Sequence, residues 1–173
     1  MLFFKKKVNL THLSEILSED IAKGTIRTIL ESMKTGGEEE SDDVFDAHFF
    51  GQLMAWSITS NSMGNEDSRQ ISHAITDQLP YRYAELGVFE DCSEESIRDS
   101  AASYMQEVVQ KAKSGSFSDV STALGFWVSR ASKETDPMRV MSLPLEYIEC
   151  ISANARLIES FRKKFKVIYD IKY

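Results

Sequence analysis

A histidine and a glutamine one helical turn apart are the residues whose types and spacing come closest to a chemical site. His48 and Gln52 lie within the stretch 42–63, and Ala55 and Thr59 continue the same spacing. On a helix these positions form a thin polar stripe. An imidazole there could act as a general base or a metal ligand, and the amide could hold a ligand's polar groups. The alternative is that the stripe faces solvent or a hydrated seam between helices.

Other signatures of catalysis or cofactor binding are missing from the sequence. A metal ion needs three or four ligands, and local spacing supplies one. The two cysteines, Cys92 and Cys150, are far apart and form no CxxC motif. There is no phosphate-binding loop and no G-x-S-x-G nucleophile motif. We therefore predict no catalytic residue, no metal and no cofactor, and we favour a protein that is not an enzyme.

The polar stripe lies on a stretch that is apolar on two opposite sides. At about 100° per residue, two apolar sets fall on nearly opposite sectors of the helix: Phe45, Phe49, Leu53 and Trp56, and then Ala47, Phe50, Met54 and Ile58. A surface helix carries one apolar stripe, whereas a helix that is apolar on two sides is usually buried. The pattern predicts that 42–63 is a central helix with neighbours on both flanks.

Composition favours an all-α fold around this helix. The chain has 173 residues with only three prolines and eight glycines, so few residues interrupt helices. We predict one all-helical domain over 1–173, a bundle of five to seven helices. Caps at Ser93 and at Ser116 or Ser118 should open two of them.

The predicted boundaries of the other helices depend on glycine, proline and serine. We expect the first helix to begin near Thr11 and to break or kink at Lys23-Gly24, since glycine inside a helix costs about 1 kcal/mol. The alternative is one helix that is buried on two sides in succession. Pro80 should end a helix. Ser142 should cap the last helix, with Pro144 in its first turn. The tail VIYDIKY is rich in β-branched and aromatic residues and could turn extended.

Charge excludes one class of partner and leaves another open. The net charge is −7, so the chain repels nucleic acid backbones and we predict no nucleic-acid partner. Residues 1–7 carry +3 and residues 156–173 carry +4, which leaves −14 between them. These basic, aromatic termini suit peripheral contact with an anionic membrane, but we favour the alternative that the lysines extend over a packed helix end. With no signal peptide or membrane span in the sequence, we expect a cytoplasmic protein.

The function that these observations favour is recognition of another protein. Tyr81, Arg82 and Tyr83 follow Pro80, and tyrosine and arginine are enriched at interface hot spots. They are candidate partner-binding residues, unless the tyrosines cover the edge of the core. The last helix carries an apolar seam, which we expect to pack inside the bundle; a homodimer through this helix is the alternative. We predict an intracellular adaptor or inhibitor acting through a helical surface. The alternative is an enzyme or small-ligand binder with its site at His48 and Gln52.

Overall fold

Six α-helices and two short strands make up the part of the chain that the structure describes. The structure is a computed structural model, and it describes residues 6–36, 42–89 and 92–168. In chain order the elements are β1 (Lys6–Asn9), α1 (Leu10–Gly36), α2 (Asp42–Ser62), α3 (Glu66–Glu85), α4 (Glu94–Lys111), α5 (Phe117–Ala131), α6 (Pro137–Lys164) and β2 (Phe165–Ile168). The predicted all-α bundle is confirmed.

Helix α2 is the central helix of the bundle, as its pattern predicts. It packs against each of the other five helices. Residues from both of its apolar sets are buried, among them Phe49 and Trp56 on one side and Phe50 and Met54 on the other. Burial on both sides keeps α2 in place because each flank removes apolar surface from water.

Two predicted helix caps are confirmed. The Ser93 side chain accepts a hydrogen bond from the backbone N–H of Ser96, and the Ser116 side chain accepts one from Asp119. Each satisfies a donor that the first turn of a helix leaves unpaired. These caps fix where α4 and α5 begin.

The predicted break at Gly24 is wrong. Helix α1 runs without interruption from Leu10 to Gly36. Leu17 before the glycine and Ala22 and Ile29 around it are buried in the same core. The cost of about 1 kcal/mol for a helical glycine is smaller than the benefit of burying both halves of one continuous helix.

The predicted end of a helix at Pro80 is also wrong. Helix α3 continues past Pro80 to Glu85, because Leu79, Pro80 and Tyr83 are buried together in the core. Arg98 donates a hydrogen bond of 2.9 Å to the backbone carbonyl of Asp77, beside this proline. Tertiary contacts therefore hold the helix together where the local rule predicts its end.

Helix α6 begins five residues before the predicted cap at Ser142. Asp136 is the true cap, and its side chain accepts a hydrogen bond of 2.9 Å from the N–H of Met138. Pro137 occupies the first turn, where its missing N–H costs nothing. Pro144 then lies inside the helix and packs on Gly125 of α5, where any side chain would collide with its backbone.

A two-stranded parallel sheet joins the ends of the described chain. β1 and β2 pair in register, with Val8 beside Val167. Extended structure was expected near the C-terminus from the tail's composition, and β2 contains its first two residues, Val167 and Ile168. The partner strand β1 was not predicted, because its four residues, with one valine, are too few to show the alternation that signals a strand.

Candidate functional site

The predicted polar stripe on α2 lies beneath α6. The Tyr147 hydroxyl donates a long hydrogen bond of 3.5 Å to the backbone carbonyl of His48. The Cys150 thiol donates to the side-chain carbonyl of Gln52 at 3.2 Å. Thr59, further along, is fully buried and donates to the carbonyl of its own helix. The stripe is therefore a seam between two helices, and Cys150 already occupies one acceptor position of the Gln52 amide.

The electrostatics of this seam do not favour nucleophiles or cations. Burial lowers the pKa of His48, and Arg139 lowers it further, while Glu146 and Glu134 oppose the shift. Burial also raises the pKa of the Cys150 thiol, which makes a thiolate harder to form. Within residues 6–36, 42–89 and 92–168, no group of three or more His, Cys, Asp or Glu side chains could hold a metal ion.

The three predicted partner-binding residues occupy different environments. Tyr81 is 43% exposed. The Arg82 guanidinium lies 5.2 Å from its ring centroid and bonds Glu85 at 2.7 Å, so it is engaged within the fold. Tyr83 is fully buried and meets Phe49 edge-to-face. Tyr81 alone presents a large free surface to a partner.

The basic end of α6 is partly tied to the fold. Phe161 and Phe165 stack with ring centroids 6.0 Å apart, and Phe161 packs against the core. Arg162 pairs with Glu159 at 2.8 Å. The apolar seam predicted for this helix packs inside the bundle, because Ile151 and Ile158 are fully buried in the core. Of the basic residues predicted at the N-terminus, Lys5 lies outside the described residues.

An open cleft of about 360 Å³ lies between α2, α4 and α5, and sequence analysis missed it. One wall is aromatic: the ring centroids of Phe50 and Tyr104 are 5.0 Å apart, and those of Tyr104 and Trp127 are 4.9 Å apart. Asp46 and Glu107 also line the cleft. Each of the three helices contributes an aromatic residue three or four positions from a charged one, which is the signal the sequence offered.

A second overlooked feature is an apolar face on the solvent side of α6. Met138, Met141 and Leu145 are 78%, 66% and 64% exposed. The buried residues of this part of the helix, Leu143 and Tyr147, lie on its other side. The spacing of three and four residues places the exposed side chains on one face. This spacing is present in the sequence, but the predicted cap at Ser142 placed Met138 and Met141 in a connection before the helix.

Comparison with protein-family models, with curated proteins and with solved structures finds no match to this chain. None of the helices in the described ranges combines the length and the hydrophobicity needed to cross a bilayer.

Proposed function

We propose that this chain is a protein-interaction module that binds an amphipathic helix of a partner on the exposed face of α6. The observation that carries the proposal is the set Met138, Met141 and Leu145, exposed together on one side of a single helix. Isolated exposed apolar residues are ordinary, whereas contiguous ones mark binding surfaces. Methionine suits such a face because its flexible thioether adapts to differently shaped partners.

Charge around this face indicates the chemistry of the partner. Arg139 and Glu146 pair with each other at 2.9 Å, so their charges largely cancel. The exposed carboxylates of Asp136 and Glu149 remain at its two ends. A partner helix with apolar anchors at the same spacing and basic residues beside them would complement this face.

The competing function, a ligand site at His48 and Gln52, receives less support from the geometry. The Cys150 thiol donates a hydrogen bond to the side-chain carbonyl of Gln52, and the Tyr147 hydroxyl donates one to the backbone carbonyl of His48. Replacing His48 by alanine should therefore leave partner binding unchanged. These two contacts involve the inner side of α6, whereas Met138, Met141 and Leu145 lie on its exposed side, and this difference supports a partner surface over a ligand site in the seam.

Affinity capture from host lysate with matched variants tests the proposal. Met141→Asp places a charge in the middle of the face, and Val109→Asp makes the same change at a 51% exposed position on α4. We expect a partner retained by the wild type and by Val109→Asp but lost with Met141→Asp, with unchanged circular dichroism for both variants. A synthetic peptide of the partner's basic amphipathic segment should then compete.

Two results would contradict this function. One is an identical set of captured proteins for all three chains. The other is a wild-type homodimer in analytical ultracentrifugation that Met141→Asp converts to a monomer, because a second copy would then occupy the face.

A further inference from the structure

The cleft between α2, α4 and α5 carries one more negative charge than its neighbours neutralise. Asp43 pairs with Lys133, and Glu107 pairs with Arg130 at 3.2 Å while accepting a hydrogen bond from the Trp127 indole at 3.1 Å. Asp46 is different, because among the described residues no hydrogen-bond donor or cation lowers the pKa of its carboxyl, and the nearby charges that act on it, Asp42 and Asp43, are both acidic. Its charge faces a partly desolvated cleft without compensation.

The aromatic wall of the same cleft is suited to a positive charge. Phe50, Tyr104 and Trp127 form a continuous series of ring contacts in the cleft that Asp46 also lines. An aromatic face attracts cations through its quadrupole, and tryptophan does so most strongly. Glu107 holds the Trp127 ring through the indole N–H, so the orientation of that wall is fixed before any ligand arrives.

From these contacts we infer that the cleft binds an organic ammonium group, with Asp46 as its counter-ion and Tyr104 and Trp127 as its aromatic wall. The net charge left by the two ion pairs matches a single positive charge. The cleft volume of about 360 Å³ admits an alkylammonium head with its methyl or methylene groups. The site uses no residue of the α6 face, so it stands or falls independently of the proposed function.

Burial and the nearby Asp42 and Asp43 raise the pKa of Asp46 above its ordinary value. The ionised carboxylate is therefore held in an unfavourable environment that a bound cation would relieve. This direction agrees with the geometry, which alone defines the site.

An NMR titration tests the site with a matched pair of probes. Choline and 3,3-dimethyl-1-butanol have nearly the same shape, but only choline is charged. The chain has two tryptophans, Trp56 and Trp127, and the Trp127→Phe variant assigns their indole N–H signals. We expect saturable shifts of the Trp127 signal with choline chloride, and none with the alcohol or with sodium chloride at equal ionic strength.

Variants show whether Asp46 is the counter-ion. Asp46→Asn keeps the shape of the side chain and removes its charge, and we expect it to weaken choline binding about tenfold or more. Asp20→Asn makes the same change at an exposed carboxylate on α1 and should leave binding unchanged. Because Asp46 loses no ion pair with any residue that the structure describes, its variant should keep the wild-type amide spectrum outside the cleft.

A third probe separates two sources of the ammonium group. The peptide acetyl-Gly-Lys-Gly-amide presents a lysine side chain, whereas choline represents a free metabolite. Tighter binding of the peptide would assign the site to a protein side chain, and tighter binding of choline to a small molecule. The inference is overturned if neither cation shifts the Trp127 signal, if the alcohol shifts it equally, or if binding survives Asp46→Asn.

Discussion

Helix α2 presents polar side chains to two different neighbours, α6 on one side and the pair α4 and α5 on the other. On the α6 side, Gln52 accepts a hydrogen bond from Cys150 and the backbone is packed against Tyr147. On the other side, Asp46 and Phe50 line an open cleft. Both sides contain residue types that could bind a ligand, but among the described residues the α4 and α5 side is the one that leaves a carboxylate without a cation beside free space. What separates a site from a seam is whether the neighbouring helix already satisfies the polar groups.

The largest effect on stability is expected from adding a side chain in the seam between α2 and α6. Gly51→Ala would place a methyl group against the Tyr147 hydroxyl and within 2.7 Å of a Val128 methyl. Overpacking should outweigh the gain in helix propensity and lower the free energy of unfolding by about 1–2 kcal/mol. Chemical denaturation would measure it.

Gly24→Ala is the matched control, because nothing lies within 4 Å of its added methyl group. It should stabilise the protein by about 0.4–1 kcal/mol. Equal effects of the two substitutions, in either direction, would show that the α2–α6 seam is looser than the structure indicates.

Acidification should have a smaller effect on stability, which also arises in the seam between α2 and α6. Burial lowers the pKa of His48 below its ordinary 6.5, so the folded state favours the neutral imidazole. Its contribution to stability is present above pH 6.5 and is lost as the pH falls toward the lowered pKa. The melting temperature of the wild type should therefore decline from pH 7 to pH 5 more steeply than that of His48→Gln.

His73→Gln provides the control for this experiment, because His73 is exposed on α3. Its pH profile should follow that of the wild type. If His48→Gln also follows the wild type, then His48 is solvated, and the seam over the polar stripe is open.

These contrasts also show which features could be read from the sequence. The central position of α2 followed from its two apolar sets, because burial on both sides is written into helical periodicity. The caps at Ser93 and Ser116 followed from local hydrogen bonding. The predictions at Pro80 and Gly24 were wrong, because residues on either side of each are buried and keep the helix continuous. Local sequence rules do not include such tertiary burial.

The candidate sites were harder to predict for a physical reason. Cys150 is 98 residues from Gln52, so nothing near the polar stripe in sequence reveals its covering helix. The cleft likewise joins Asp46 to Tyr104 and Trp127 from two other helices. The α6 face was local, with Met138 and Leu145 two turns apart, but the misplaced cap at Ser142 put Met138 and Met141 in a loop.

The smallest expected effect concerns the open side. Because the folded pKa of Asp46 is raised above 3.8, chiefly by burial and then by Asp42 and Asp43, its negative charge opposes folding at neutral pH. Asp46→Asn should therefore stabilise the free protein, by no more than about 0.5 kcal/mol since the site is partly solvated. This advantage should shrink as the pH falls through the raised pKa, where the wild-type carboxyl becomes protonated. Thermal melts at pH 7 and pH 3.5 measure both points.

Saturating choline should reverse the order of stability of the two proteins at pH 7, because a ligand bound only by the wild type stabilises only the wild type. If Asp46→Asn is instead less stable than the wild type without ligand, then Asp46 already has a partner in the fold.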